Sequence, residues 1–260
     1  MRATEDHDSE IQKEIIQIMS PVFDLYGTRK RLQYNPTKAV KASQPDSEDP
    51  DVFTRNEINL IISTSSNRKS ERNMAEYWLG SGPRSAELMA MSRDAVDLEN
   101  GIVRYEMGVV QGQYKATKNR RSKRSVELLQ PARKALERQY AITGEREKMI
   151  DRDNRTERQV HFKPVWVTTF SDEPYTHNQS FRAWWTRHLG EAEVRYRGPS
   201  QCRHTFISQM LTIGMPINWI IAQVGRSSET MIRRHYGKFI QEDQPVSFAT
   251  LANKQLGFTE

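Results

Sequence analysis

The sequence predicts a mainly helical α+β domain with a small antiparallel β-sheet. Between residues 203 and 236, apolar side chains recur at the three-residue and four-residue spacing of amphipathic helices. Between residues 96 and 128, short apolar segments lie on either side of an Asn-Gly turn, which is typical of antiparallel strands. The length of 260 residues fits one large domain with a small appendage.

The C-terminal helical stretch divides into three segments. Gly214 and Gly225 follow the first two segments and favour helix ends, and Pro216 suits the first turn of the second helix. Either Ser227 or Ser228 can cap a third helix. The apolar positions of the first two segments are Phe206, Met210, Ile213, Ile217, Ile220, Ile221 and Val224.

Three polar side chains lie at the ends of these segments. Arg203 precedes the first segment, Arg226 follows the second, and Tyr236 closes the third. If the three helices pack against each other, we expect these side chains to meet at one end of a helical layer. Guanidinium groups stay protonated and donate paired bonds to phosphate oxygens, so such a cluster would suit a phosphodiester.

Composition limits the class of protein. Lysine and arginine number 39 against 33 acids, a net charge of +6, and the pI near 9.4 favours a polyanionic partner without requiring one. A single cysteine, Cys202, excludes an internal disulfide and a cysteine-rich zinc site. No apolar run approaches the roughly 20 residues of a membrane span, so we expect a soluble intracellular protein without a membrane partner.

The polar residues at the helix ends resemble the C-terminal signature of the tyrosine recombinases, also called phage integrases. That signature consists of Arg-His-Thr, then a Gly-His-Ser-Ser turn, then a nucleophilic tyrosine. The matching pieces here are Arg203-His204-Thr205, Gly225-Arg226-Ser227-Ser228 and His235-Tyr236-Gly237. The resemblance covers about residues 52 to 245 and implies the catalytic domain of a site-specific DNA recombinase.

The first catalytic arginine of this family lies in a pattern close to Gly-x-Arg-x-x-Glu. Gly82-Pro83-Arg84-Ser85-Ala86-Glu87 matches that pattern and implies a catalytic role for Arg84. Glu87 would brace the arginine from one helical turn away. Without the rest of the signature, the segment would equally fit an exposed Arg-Glu pair on a helix.

Residues 113–124 form a cationic stretch without an acid. Its cations are Lys115, Lys118, Arg120, Arg121, Lys123 and Arg124. From composition, the stretch fits either a DNA-facing finger or a solvated charge run. The family places a catalytic lysine on such a hairpin, ahead of a strand of the pattern Arg-x-Val-x-Leu, which residues 124–128 match. The resemblance implies Lys118 as the catalytic lysine, with Lys115 as the alternative, and DNA contacts for the other cations.

Two positions depart from the family pattern. Ser200 stands where a histidine is usual, and Arg226 stands where histidine or tryptophan is usual. Serine can hold a phosphate oxygen but cannot act as a base near neutral pH, so Ser200 is expected to contact DNA. His204 and His235 adjoin catalytic residues, but helix neighbours point to different sides, which favours structural or solvent roles for both. The base therefore stays unassigned.

The chemistry implied by the resemblance needs no metal or nucleotide cofactor. Arg84, Arg203 and Arg226 would stabilise the charge on the nonbridging oxygens, and losing one such donor costs on the order of 3 kcal/mol in the transition state. Tyr236 would attack phosphorus and form a covalent 3′-phosphotyrosyl ester that conserves the bond energy for resealing. Lys118 would protonate the departing 5′ oxygen.

The expected domain organisation has three parts. Residues 1–42 resemble a remnant of the core-binding domain, its last helix and exit loop, although an amphipathic helix packed on the main domain would also fit. Residues 43–51 have the composition of a linker, with two prolines and four acids. Residues 52–260 would form the catalytic domain and its tail. Because most of a core-binding domain is missing, we expect a partial gene product.

The tail after residue 237 contains apolar residues and resembles the family segment that packs on a neighbouring subunit or back on its own. The implied partners are double-stranded DNA attachment sites, with a homotetramer assembled on them, in the cytoplasm of a bacterium and encoded by it or by a phage. A truncated or decayed integrase that binds DNA without recombining it is the alternative. A DNA-relaxing topoisomerase is less favoured, because the tail suits partner exchange.

Overall fold

The computed structural model describes residues 2–31, 34–40, 50–116, 123–151, 159–225, 229–236 and 243. The chain divides into two compact units, Met1–Glu48 and Asp49–Glu260. The division lies within the segment 43–51 that has the composition of a linker.

The first unit is built on one long helix, α1 (Arg2–Lys30), and a 3-10 helix, Pro36–Ala39. Asn35 joins them, because its side-chain amide donates to the Ser20 backbone oxygen at 3.1 Å and to Oδ1 of Asp24 at 2.9 Å. Helix α1 exposes a series of large apolar side chains, namely Ile11, Ile15, Ile18, Val22 and Leu25.

The second unit is mainly helical. Its helices are α2 (Arg55–Ser63), α3 (Lys69–Ser81), α4 (Ser85–Met89), α5 (Gln130–Thr143), α6 (Gln179–Glu191), α7 (Gln201–Thr212), α8 (Ile217–Val224) and α9 (Glu229–Tyr236), with a 3-10 turn at Arg93–Ala95. Helix α2 begins with a capping box, in which Thr54 and Glu57 each accept a bond from the other's backbone N–H. In the described part of the chain, no helix is both long enough and apolar enough to cross a membrane.

The strands form small antiparallel sheets. Strands β1 (Val96–Asp97), β2 (Ile102–Tyr105) and β5 (Arg124–Glu127) pair in the order β1-β2-β5. Two further hairpins join β3 (Met107–Val110) to β4 (Gln113–Ala116) and β6 (Lys148–Asp151) to β7 (Gln159–Phe162). The predicted fold class is confirmed. The hairpin of β3 and β4 was not predicted, since its second strand begins the cationic stretch.

Two apolar clusters hold the second unit together. The larger includes buried aromatic side chains from α3, α6 and the segment between β7 and α6, among them Tyr77, Trp78, Trp166, Phe181 and Trp185. The smaller joins α7, α8 and α9 through Phe206, Ile207, Ile220, Val224, Ile232 and Tyr236. The three C-terminal helices therefore pack against each other, which brings their polar ends into one region.

Candidate active site

The turn between α3 and α4 positions Arg84. Helix α3 ends where Gly82 adopts a left-handed conformation with φ of 64°, and Pro83 cannot continue the helix. A side chain at Gly82 would also place its Cβ 2.5 Å from Cδ1 of Phe206, so both backbone and space require glycine. Arg84 then begins α4 as its N-cap residue.

Arg84 is held on one side and open on the other. Its backbone N–H and its Nη1 donate to the Glu87 carboxylate at 2.9 and 2.8 Å. Its Nη2 donates to the backbone oxygen of Gly225 at 2.7 Å. The side chain is nevertheless 43% exposed, so the guanidinium is oriented by the protein and can still meet a ligand.

Arg203 lies in the first turn of α7 and is only 8% exposed. Its Nη1 donates to the backbone oxygen of Gly82 and its Nη2 to that of Val224, both at 2.8 Å. The acceptors belong to the turn before Arg84 and to the end of α8. Arg203 therefore ties three segments that are distant in the chain.

The end of α8 brings the two arginines together. Val224 and Gly225 are consecutive residues, and their backbone oxygens accept bonds from Arg203 and Arg84 respectively. The last carbonyl groups of a helix lack intrahelical partners and carry partial negative charge, so they attract cations. The two guanidinium groups that the sequence singled out are thus bound by neighbouring backbone oxygens.

Arg124 takes a different place from the exposed DNA contact expected for it. Its side chain is 7% exposed, and its Nη1 and Nη2 donate to the two oxygens of Glu87, each at 2.9 Å. Its Nε donates to the backbone oxygen of Gln223 at 2.9 Å, and its guanidinium lies 4.6 Å from the centroid of the Tyr105 ring. Arg124 therefore forms a buried ion pair with Glu87 and compensates the charge of that carboxylate.

The Glu87 carboxylate is 4% exposed and ionised at neutral pH. Burial alone would raise its pKa, but the hydrogen bonds and positive charge of Arg124, with the backbone N–H and charge of Arg84, outweigh burial and lower the pKa. The carboxylate therefore remains a charged acceptor for both arginines.

Tyr236 closes α9 with its ring in the smaller apolar cluster, and the residue is 2% exposed. Its hydroxyl forms a hydrogen bond with Nδ1 of His204 at 2.5 Å. The two rings are stacked, with centroids 5.6 Å apart and an angle of 22° between their planes. Sequence reasoning favoured a structural or solvent role for His204 and did not anticipate this contact, which depends on how α7 and α9 pack.

The other predicted site residues are distributed unevenly. Ser200 is exposed at the start of α7, Lys123 is exposed just before β5, and Lys115 is half-buried on β4. The remaining candidates lie outside the described residues, namely Lys118, Arg120, Arg121 and Arg226. Within the described ranges, no group of three or more histidine, cysteine or acidic side chains could hold a metal ion.

Sequence comparison gives this site a family context. The family model described as Phage integrase family matches residues 51–241. Prophage integrase IntR of Escherichia coli (strain K12) is 32% identical over 224 residues, which cover 83% of this chain and 54% of IntR. The putative defective protein IntQ of the same strain is 28% identical over 250 residues, which cover 92% of this chain and 62% of IntQ. The chain thus spans about half to two thirds of these curated relatives.

Solved structures share the fold at low sequence identity. The Tn1549 transposon integrase in complex with a circular intermediate DNA has a TM-score of 0.70 at 14% identity, covering 95% of this chain and 78% of that one. A lambda integrase dimer bound to a COC′ core site has a TM-score of 0.66 at 13% identity, covering 94% and 79%. A lambda integrase tetramer bound to a Holliday junction has a TM-score of 0.58 at 14% identity, covering 85% and 57%.

Proposed function

Because the chain belongs to the phage integrase family, we propose that it is a site-specific tyrosine recombinase that cleaves and rejoins DNA through a covalent 3′-phosphotyrosyl intermediate. The observation that carries this proposal is the meeting of Arg84 and Arg203 at the end of α8. The adjacent helix α9 ends in Tyr236, whose hydroxyl contacts the residue next to Arg203.

The two arginines suit the charge that develops at phosphorus under attack. A guanidinium remains protonated and donates two bonds to nonbridging oxygens. Fixed donors in a partly buried site stabilise this charge without reorganising during the reaction. Arg203 is buried and fixed by two backbone oxygens, and Arg84 has an open side, which supports a clamp with one anchored and one accessible group. Arg226 would complete the clamp.

Tyr236 is the proposed nucleophile. Its oxygen would bond to phosphorus as the bond from phosphorus to the 5′ oxygen breaks, and the resulting ester would be resealed when a 5′ hydroxyl attacks it. Lys118 is proposed to protonate the departing 5′ oxygen, with Lys115 as the alternative. Charge stabilisation is assigned to the arginines, so the proposal calls for no metal or nucleotide.

DNA is the proposed partner. The net charge of +6 favours a polyanion, and the structural relatives include integrases bound to DNA as a dimer and as a tetramer on a Holliday junction. We infer a homotetramer on double-stranded attachment sites, acting in the bacterial cytoplasm. Ser200 and the exposed Lys123 are proposed DNA contacts, together with Arg120 and Arg121.

A decayed integrase that binds DNA without recombining it is the second candidate. One relative is named a putative defective protein, and Ser200 replaces the usual histidine. These observations bear on whether the protein can catalyse strand cleavage. They leave the arginine cluster at the end of α8 unchanged.

A capture experiment separates the two candidates. The probe is a pool of nicked duplexes with a randomised segment, in which a short strand diffuses away after cleavage and prevents rejoining. We expect a denaturation-resistant adduct with selected members of the pool and none with Tyr236→Phe. Tyr196→Phe is the matched control, since Tyr196 is an exposed tyrosine of the same unit. Binding of the pool without any adduct would favour the decayed integrase.

A further inference from the structure

We propose that His204 is the base that accepts the phenolic proton of Tyr236. This inference rests on the proposed function and adds a catalytic residue to it. The family position for a histidine, three residues before Arg203, holds Ser200, and a serine hydroxyl cannot act as a base near neutral pH. Imidazole is the side chain best suited to accept and return a proton at that pH.

The geometry meets the first requirement for a general base. Nδ1 of His204 lies 2.5 Å from the Tyr236 hydroxyl, within hydrogen-bond distance of the proton to be removed. Stacking of the two rings keeps the imidazole next to the phenol. The phenol ring is packed among apolar side chains, whereas the hydrogen bond is only partly buried and His204 is half-buried. The hydroxyl thus lies toward the edge of the core.

Helix α7 explains how one segment supplies both a clamp and a base. Arg203 and His204 are consecutive, and successive side chains on a helix point about 100° apart. Arg203 faces the end of α8, and His204 faces the end of α9. The proton acceptor is therefore set next to the nucleophile by the same turn that sets the buried arginine beside Arg84.

The proton balance of the step is complete with groups already named. Nδ1 must have its lone pair available, so the neutral ring has its proton on Nε2. As the Tyr236 oxygen bonds to phosphorus, its proton passes to Nδ1 and His204 becomes an imidazolium. The bond from phosphorus to the 5′ oxygen breaks, and the proposed general acid, Lys118 or Lys115, protonates that oxygen. During resealing, the attacking 5′ hydroxyl gives its proton back to the same lysine, and the imidazolium returns its proton to the departing phenol oxygen.

The first test compares variants on a duplex recovered from the randomised pool. We expect His204→Ala to slow single-turnover adduct formation by about 10²- to 10⁴-fold, the usual range for a general base, with unchanged DNA affinity. His204→Asn retains a hydrogen-bond acceptor but cannot take the proton, so it should be similarly slow. Added imidazole should restore part of the rate in His204→Ala. The control is His161→Ala, an exposed histidine of the β6–β7 hairpin.

A second test distinguishes a base from a packing residue. Replacing Tyr236 by 3,5-difluorotyrosine makes the phenol more acidic and reduces its need for a base, so it should shrink the rate deficit of His204→Ala. A residue that only supports the tyrosine ring would leave the deficit unchanged. A duplex with a 5′-thiol leaving group, which needs no protonation, should not shrink the deficit, because His204 acts on the nucleophile.

Several outcomes would overturn the assignment. A His204→Ala or His204→Asn rate within about threefold of the parent, or above it, would exclude His204 as the base, since general bases contribute at least about 10²-fold. Full recovery with the 5′-thiol duplex would place His204 on the leaving group instead. Failure of the parent protein to form any adduct would contradict the proposed function itself, whereas an active parent with an equally active His204→Ala contradicts only the role of His204.

Discussion

At the residue scale, the site depends on three consecutive backbone oxygens at the end of α8. Each accepts a bond from a different guanidinium group. The pairs are Gln223 with Arg124, Val224 with Arg203, and Gly225 with Arg84. Since these oxygens are fixed by the helix, the spacing of the guanidinium groups is set by the protein itself. Such preorganisation is what makes fixed donors effective in catalysis.

The two arginines of the proposed clamp should differ in their contribution to stability. Both Arg84→Ala and Arg203→Ala are expected to slow adduct formation by about 10²- to 10³-fold. Arg84→Ala should lower the free energy of unfolding by less than about 1 kcal/mol, because the side chain is part-exposed and Glu87 keeps Arg124. Arg203→Ala should lower it by about 1–3 kcal/mol, because two backbone oxygens lose a buried donor.

Urea unfolding and single-turnover adduct formation measure the two effects separately. Arg187→Ala is the control, since Arg187 is exposed on α6, and both quantities should match those of the parent. Equal stability losses in Arg84→Ala and Arg203→Ala would contradict the distinction between an accessible and an anchored arginine.

The sequence singles out Arg84, Arg203 and Tyr236 because each lies in a short motif that matches the family signature, and the three motifs follow in the family's order. It could not reveal that Arg124 faces Glu87 or that His204 faces Tyr236. Both contacts depend on which face of a strand or helix meets a neighbour far away in the chain. The charge of the stretch 113–124 favoured an exposed role for every cation in it, and burial of Arg124 by the end of α8 overrides that local signal.

At the element scale, helical periodicity predicted α7 and α8, the capping serines Ser227 and Ser228 predicted α9, and the β1-β2-β5 strands followed from short apolar segments. The hairpin of β3 and β4 is not predicted by the sequence pattern, because β4 begins the cationic stretch and has few apolar residues. The sequence feature that marks this turn is the pair Gln111-Gly112. Both residues have positive φ, 51° and 77°, as a two-residue hairpin turn requires. A Gln-Gly pair between apolar segments is a weaker turn signal than Asn-Gly.

The junction of α6 and α2 contains a pH-sensitive histidine. His188 is 1% exposed, and its Nε2 donates to the Ile61 backbone oxygen at 2.9 Å. Its Nδ1 has no hydrogen-bond partner among the described residues, and Glu191 lies 4.0 Å away. Burial lowers the pKa of His188, more than the Ile61 bond and the Glu191 charge raise it.

The sign of the effect on stability follows from this shift. His188 binds a proton less readily in the folded protein than in the unfolded chain, where a histidine has a pKa of about 6.5. The neutral histidine's contribution is therefore complete above that pH and is lost as pH falls toward the lower pKa of the folded state. We expect the free energy of unfolding to decrease between about pH 7 and pH 5.

His188→Gln is the variant that tests this expectation. Its amide can still donate to the Ile61 oxygen but does not titrate, so urea unfolding should show a flatter pH dependence than in the parent. His177→Gln, an exposed histidine, should leave the slope unchanged. Parallel pH profiles for the parent and His188→Gln would rule out burial of a neutral imidazole as the cause.

At the scale of the whole molecule, the chain comprises two units and has a net charge of +6. The catalytic candidates that the structure describes all belong to the second unit, so the site is assembled within it. Charge acts over the whole surface, and a protein that neutralises phosphates releases counterions from DNA. The salt dependence of DNA affinity therefore reports how many cations contact the backbone.

Neighbouring cations at the start of β5 allow a direct test of this picture. Lys123 is exposed and is a proposed DNA contact, whereas Arg124 is buried against Glu87. We expect Lys123→Ala to reduce the slope of log affinity against log salt by about one, with little change in stability. Arg124→Ala should leave the slope unchanged and lower the free energy of unfolding by about 1–3 kcal/mol, because the Glu87 carboxylate and the Gln223 oxygen lose a buried donor while Arg84 still donates to Glu87.

Fluorescence anisotropy across a salt series measures the slopes, and urea unfolding shows whether each variant is folded at the temperature used. If Arg124→Ala is too unstable, Arg124→Lys keeps the charge beside Glu87 and should still leave the slope unchanged. A reduced slope in Arg124→Lys would mean that this cation reaches the phosphates, contrary to its buried ion pair. An unchanged slope in Lys123→Ala would remove Lys123 from the proposed interface.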